Sequence, residues 1–251
     1  MSVHTTTLDL ATGGDPFGDA VREVWEAGAR PGVSYEIIER DDGLITANDV
    51  HRYFAPYAEW APLEQQLCER AGQRVLDVGC GPGRHATHLL EQGRQVLGVE
   101  SSPGAADIAR RRGVETLTTT VETLTPDIGS FDTVLLGGQN IGLLGNREKA
   151  GDILRRLAAV TRPGGSLLGV SVDPHALTSA WNRAYQERNL AAGRLAGQQR
   201  LRIRDGVTST PWFDYLYASA AELESLADGT PWRVHELVRH GKQYLAHLTR
   251  S

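Results

Sequence analysis

The sequence predicts an α/β fold, a doubly wound and mostly parallel sheet, and three observations carry that reading. Short apolar runs alternate with segments of helical period from residue 74 to 172, and glycine-rich turns separate them. The runs are continuously apolar rather than alternating, as strands covered on both faces require.

The first unit sets the pattern. Arg74-Val75-Leu76-Asp77-Val78 reads as a strand, Arg84 to Gly93 as a helix, and Gln95 to Glu100 as the next strand. The rhythm continues with a helix from about Gly104 to Arg112, a strand from Phe131 to Leu136 and a helix from Arg147 to Thr161. Pro163-Gly164-Gly165 then turns the chain into a strand from Ser166 to Val172.

The flanks depart from this rhythm. Residues 1–60 read as a leader, without periodicity over residues 1–18, followed by an N-terminal helical cap. Val21, Val24 and Trp25 have helical spacing, and a second helix is expected from about Ala47 through Trp60, with Val50, Tyr53, Phe54 and Tyr57 on one side. Residues 61–251 are expected to form the main domain, opening with a helix from Leu63 to Ala71 and carrying residues 174–217 as a covering insertion. Asp205-Gly206 signals a β-hairpin there, with Trp212, Phe213, Tyr215 and Tyr217 on or beside its return arm. A helix at about Ala220 to Ala227 and strands at Trp232 to Val238 and Gln243 to Leu248 complete the chain. The pentapeptide VETLT occurs at 114–118 and again at 121–125, too short to be a structural repeat.

Composition limits the function classes. A net charge of −5 gives no broad basic surface, so nucleic acid is not the expected partner. Two cysteines, Cys68 and Cys80, make no disulfide framework. The N-terminus lacks a signal-peptide pattern and no run approaches the ~20 apolar residues of a membrane span, so a cytoplasmic protein that does not engage membrane is expected.

The chemistry concentrates in residues 75–100. Gly79-Cys80-Gly81-Pro82-Gly83 turns a strand into a helix with three glycines, leaving room for a ligand close to the backbone. Glu100 ends the following strand, where a carboxylate can accept hydrogen bonds from both hydroxyls of a ribose. The dinucleotide fingerprint requires a further glycine at position 84, which is Arg84 here. That departure argues against a nicotinamide oxidoreductase.

Asp77-Val78-Gly79-Cys80-Gly81-Pro82-Gly83 instead resembles motif I of class I S-adenosylmethionine-dependent methyltransferases. Val99-Glu100-Ser101-Ser102-Pro103, Ser130-Phe131-Asp132-Thr133-Val134 and Arg162-Pro163-Gly164-Gly165 are similar to the segments that follow it in that family, in the same order. The resemblance implies a seven-stranded, Rossmann-like sheet with an antiparallel last strand, S-adenosyl-L-methionine as cofactor, and methyl transfer to a small-molecule acceptor through O, N or C, of the kind met in secondary metabolism. It also implies site roles. Asp77 orients the methionine ammonium, Gly79, Gly81 and Gly83 admit the ligand, Glu100 holds the ribose, Ser101 binds the cofactor beside it, Val121 and Glu122 lie near the adenine, and Leu136 and Gly137 near the methionine. Thr120 stands where many relatives have an aspartate.

Candidates for the acceptor side are Tyr35 and Glu36, which open a segment similar to the caps of small-molecule members and of which Tyr35 is assigned to the cofactor, with Arg52, Tyr53 and Tyr57. Gln139-Asn140 follows the fourth strand of the core. Asp173 and His175, at the end of the next strand, are the candidate proton acceptors. His85 and His88 share a helix face without a third ligand, and no metal is expected. The sulfonium already activates the methyl group, so alignment and exclusion of water do most of the work and a general base serves only some acceptors. A cyclase-like enzyme that binds the same cofactor without transferring methyl, and a peptide or protein methyltransferase, fit the same motifs; monomer and homodimer both remain open.

Overall fold

The computed structural model describes residues 11–251, so most of the leader lies outside the described residues. Twenty elements follow in chain order, apart from short 3-10 turns: β1 Ala11–Thr12, α1 Pro16–Glu26, β2 Tyr35–Arg40, β3 Ile45–Asp49, α2 Pro62–Glu69, β4 Arg74–Val78, α3 Arg84–Glu91, β5 Gln95–Glu100, α4 Pro103–Arg111, β6 Glu115–Thr118, β7 Phe131–Leu136, α5 Arg147–Ala159, β8 Thr161–Val172, α6 Ala180–Ala191, β9 Gln198–Asp205, β10 Thr208–Ser209, β11 Phe213–Leu216, α7 Ala220–Ala227, β12 Trp232–His240 and β13 Gln243–Arg250.

The main sheet has seven strands in the order β6-β5-β4-β7-β8-β13-β12. β4, β5, β6, β7 and β8 pair in parallel, and β13 runs antiparallel to both β8 and β12. From β4 the chain moves outward through β5 to β6, then returns to place β7 on the other side of β4. The C-terminal ends of β4 and β7 therefore flank the point where strand order reverses, the crevice in which such sheets take ligands. Two apolar layers hold the sheet: one contains Val78, Val99, Leu136, Leu154 and Trp232, the other Leu67, Val75, Leu89, Leu135 and Leu245. Trp232 is fully buried, and its indole N–H donates to the Leu154 carbonyl at 2.8 Å.

The flanks form a second sheet in the order β1-β10-β9-β2-β3, with β11 also pairing β9. β2 is antiparallel to β9 through Ile37↔Arg204, Ile38↔Ile203 and Arg40↔Leu201, so residues 35–49 and the 198–216 region share one sheet. This corrects the second helix of the cap, while α1 lies where the spacing of Val21, Val24 and Trp25 put the first. Asp42-Gly43 lies between two β-branched runs, and the pairing of β2 with β3 outweighs helical spacing over Ala47 to Trp60. What remains helical there is a 3-10 turn at Val50–Tyr53, capped by the Asp49 carboxylate, and another at Tyr57–Glu59 behind Pro56. The insertion is more than a hairpin: it opens with α6, whose buried residues are Tyr185 and Asn189 alone, a polar helix that leaves little apolar period in the sequence. The strand β6 has no counterpart in the sequence reading.

Between the two sheets lies α1. Ala20, Val21 and Val24 pack on Ala105 and Ile108 of α4 and on Val50, each fully buried Val or Ile stabilising the contact by roughly 1.5–3 kcal/mol. Asp15 caps α1 through the Gly18 N–H at 3.0 Å, and its other oxygen accepts from the Ser102 hydroxyl at 2.9 Å and the Gly104 N–H at 2.7 Å. The start of α1 is thereby fixed against the chain just beyond Glu100.

Candidate active site

The loop after β4 is built from residues that only glycine satisfies. Gly79, Gly81 and Gly83 have φ of +71°, +55° and +85°, a region side chains disfavour by roughly 1–2 kcal/mol. A Cβ on Gly79 would lie 2.5 Å from the Asn140 amide nitrogen, which donates to the carbonyls of Val78 and Gly79 at 3.1 and 2.9 Å. Gly81 differs: a Cβ there would meet only the rings of Phe17 and Tyr53, at 3.9 and 4.0 Å. Those rings contact edge to face, centroids 5.3 Å apart, and stand over the loop. The Cys80 sulfur lies 2.7 Å from where Gly98 would carry a Cβ, so the thiol is a packing filler, and burial pushes its pKa well up.

Glu100 ends β5 beside this loop. Its carboxylate accepts from the Gly81 N–H at 2.8 Å through Oε2 and from the Ser102 N–H at 2.8 Å through Oε1, with the Ser101 hydroxyl at 3.4 Å. Burial raises its pKa and these N–H groups pull it back. Asp77 is 1% exposed, and its Oδ2 has no hydrogen-bond partner among the described residues. Burial raises its pKa too, against the opposing pull of His85, Arg84 and the Ala86 N–H. A buried carboxylate with an unpaired oxygen favours a cationic donor.

Beneath the loop the structure adds a group that the sequence reading missed. Glu64 of α2 meets the His85 imidazole at 2.6 Å and the Arg84 guanidinium at 3.4 Å, and both its oxygens accept from the Gly138 N–H, at 3.0 and 3.2 Å. Burial alone would raise Glu64; the positive charge and hydrogen bond of His85, with Arg84 and Gly138, prevail and hold it at about 2. The cluster joins α2, α3 and the end of β7. No local signal marks Glu64, whose partners are distant in the chain. His85 also excludes any side chain at Gly137, where a Cβ would lie 2.5 Å from the ring.

Other expected residues separate into two groups. Leu136 and Val121 belong to the core, with Val121 opening a 3-10 turn beyond β6. Glu122 is exposed and pairs with Lys149 at 2.9 Å, and Tyr35 is 48% exposed, on the opposite face of β2 from buried Glu36. The structure does not bring Tyr35 to the loop, because strand alternation turns Glu36 inward instead. Asp173 caps the 3-10 turn Pro174–Ala176 through the His175 N–H at 3.0 Å and faces Arg239 at 3.4 Å, and His175 is exposed. In this arrangement Asp173 serves the turn, and the His175 side chain makes no contact with the glycine loop. Tyr57 stacks on His88 at 4.2 Å and donates to Glu69, also away from the loop. Gln139 holds φ of +76°, and its carbonyl accepts from the Tyr215 hydroxyl at 2.9 Å. A non-glycine residue in that region beside a ligand crevice is strain of the kind that functional sites retain.

Loop, strand order and acidic residue together define a class I, Rossmann-like cofactor-binding fold. A family model described as a methyltransferase domain matches residues 75–165. A tRNA U34 carboxymethyltransferase from Hahella chejuensis is 34% identical over 144 residues, which is 53% of this chain and 43% of that protein. A ubiquinone biosynthesis O-methyltransferase from Albidiferax ferrireducens is 32% identical over 133 residues, 46% of this chain and 51% of the relative. The chain thus spans about half or less of these curated relatives. A solved S-adenosylmethionine-dependent methyltransferase from Bacteroides fragilis, in complex with S-adenosyl-L-homocysteine, superposes with a TM-score of 0.79 over 98% of this chain and 100% of that one, at 22% identity, a likeness of fold. The motifs thus stand in order on a fold shared with that enzyme, and residues 75–165 match a methyltransferase domain. One relative is named for tRNA and the other for ubiquinone, so the comparisons do not support the expected exclusion of nucleic acid. No helix among the described residues is long and apolar enough to cross a membrane.

Proposed function

We propose that the chain transfers the methyl group of S-adenosylmethionine to a small-molecule acceptor held between the glycine loop and the inner face of the second sheet. The observation that carries this is the three-glycine loop with Phe17 and Tyr53 standing over Gly81, together with a buried Asp77 oxygen that lacks a partner among the described residues. Asp77 would take the methionine ammonium, Glu100 the ribose hydroxyls through its remaining lone pairs, and the 3-10 turn at Val121 would border the adenine. The sulfonium supplies an activated methyl group when bound. The chain's own residues orient the two reactants and exclude water. Residues 1–60 and 174–217 serve in this reading as the cover over a core of 61–173 and 218–251, and their pairing through β2 and β9 supports it.

The name of the tRNA-modifying relative favours a second reading, an RNA acceptor. The net charge of −5 and the aromatic cover argue for the small molecule. Calorimetry with S-adenosylhomocysteine tests the cofactor, and product mass after incubation with S-adenosylmethionine tests transfer. An absence of binding would refute the reading, and methylation of tRNA, with affinity falling steeply as salt rises, would replace the acceptor.

A further inference from the structure

Glu36 is a buried acid to which the cofactor reading above assigns no role. It is 7% exposed on the inner face of β2. Its Oε2 accepts from the Tyr53 hydroxyl at 2.9 Å and the Asn48 amide at 3.4 Å. Both hydrogen bonds thus end on one oxygen, and exposed Arg52 acts on the carboxylate through space. Burial is the largest influence on Glu36 and raises its pKa.

Glu36 sits within an aromatic wall. Tyr53, its hydrogen-bond partner, is the ring over Gly81. Tyr215 and Tyr217 meet edge to face at 5.9 Å, and the Glu36 charge is near enough to raise the pKa of both hydroxyls. Tyr215 reaches the end of β7 through Gln139. All three rings keep part of their surface open. The Glu36 carboxylate therefore has one oxygen uncommitted among the described residues, while its partner Tyr53 stands over Gly81 and Tyr215 reaches the end of β7.

We propose that Glu36 recognises the methyl acceptor, and that the acceptor is a small amine whose reacting nitrogen enters as an ammonium between Glu36 and the rings of Tyr53, Tyr215 and Tyr217. This deepens the methyltransferase reading and rests on it. An ammonium suits both a desolvated carboxylate and the faces of aromatic rings. A neutral alcohol gives the carboxylate one hydrogen bond and no charge, and an anion is repelled. The ammonium gives one proton to Oε1 of Glu36, which frees the nitrogen lone pair. That lone pair forms the new N–C bond as the C–S bond breaks, and the bonding pair stays on sulfur. The product leaves as an ammonium bearing one more methyl group, and Glu36 returns its proton to solvent.

The test runs calorimetry on the full chain, first with S-adenosylhomocysteine alone and then, in its presence, with a panel of small primary and secondary amines, each matched to the alcohol and the carboxylate of the same skeleton. Amines should bind at least about tenfold more tightly than their matched alcohols. Glu36→Gln, which keeps an acceptor for Tyr53, should weaken amine binding by about 10- to 100-fold and leave S-adenosylhomocysteine affinity unchanged. Should that variant fail to fold, Glu36→Asp, which keeps the charge, should retain the amine preference at reduced affinity. Preference for alcohols or carboxylates, no binding by any amine, or unaltered amine binding by Glu36→Gln overturns the proposal. Failure of the wild-type chain to bind S-adenosylhomocysteine refutes the methyltransferase reading instead.

Discussion

Replacing Glu100 by alanine tests two roles of one carboxylate. The side chain holds the buried N–H groups of Gly81 and Ser102, both at 2.8 Å, so it organises the glycine loop before any ligand arrives. Two hydrogen bonds to an ionised group, at roughly 1.5–3 kcal/mol each, give roughly 3–6 kcal/mol. Removing a carboxylate whose pKa is raised by burial returns part of that, so Glu100→Ala should lower folding stability by about 2–4 kcal/mol. Loss of the ribose contacts should weaken S-adenosylhomocysteine binding by roughly 1.5–3 kcal/mol, about 10- to 150-fold. Urea unfolding without ligand measures the first effect and calorimetry on the folded variant the second. Unchanged affinity would remove Glu100 from the cofactor site, and unchanged stability would show that the two N–H groups find other partners.

Gly81→Val should cost roughly 1–2 kcal/mol of stability from its φ of +55°. It should also weaken S-adenosylhomocysteine by at least about a hundredfold, because a Cβ there would already touch Phe17 and Tyr53 and the added methyl groups would crowd the ligand-facing side of the loop; calorimetry showing full affinity would place the ligand elsewhere. For Glu64, a folded pKa of about 2 against an ordinary 4.5 means stability present above pH 4.5 and lost as pH falls toward 2. The unfolding free energy of the wild type relative to Glu64→Gln should therefore be about 2 kcal/mol smaller at about pH 3 than at about pH 6, and a pH-independent difference would refute the low pKa. His175→Ala should leave methyl transfer unchanged, as its side chain is exposed; a loss of turnover at unchanged stability would restore it to the site.

Much of the parallel core was legible because its determinants are local. Glycine spacing, apolar runs and the position of Glu100 lie within residues 74–172, and β4, β5 and β7 fall where those signals put them. On the other side the sequence named Tyr35, Glu36 and Tyr53 as candidates but could not order them. Whether Glu36 or Tyr35 faces inward depends on how β2 pairs with β9, more than 160 residues away, because pairing sets which alternate side chains meet the core. Glu64 is marked only by His85, Arg84 and Gly138, which it meets through helix packing. VETLT separates the two kinds of information most plainly. In its first copy Glu115–Thr118 is strand β6, hydrogen-bonded to β5 from Leu97 to Glu100, and in its second Val121–Thr123 is a 3-10 turn whose Val121 enters the core. By itself the sequence determined a parallel sheet with a glycine loop and an acidic partner, since those follow from neighbours in the chain. Only the tertiary structure decided the conformation of each VETLT copy, because the open edge of β5 offers backbone partners to the first copy and none to the second.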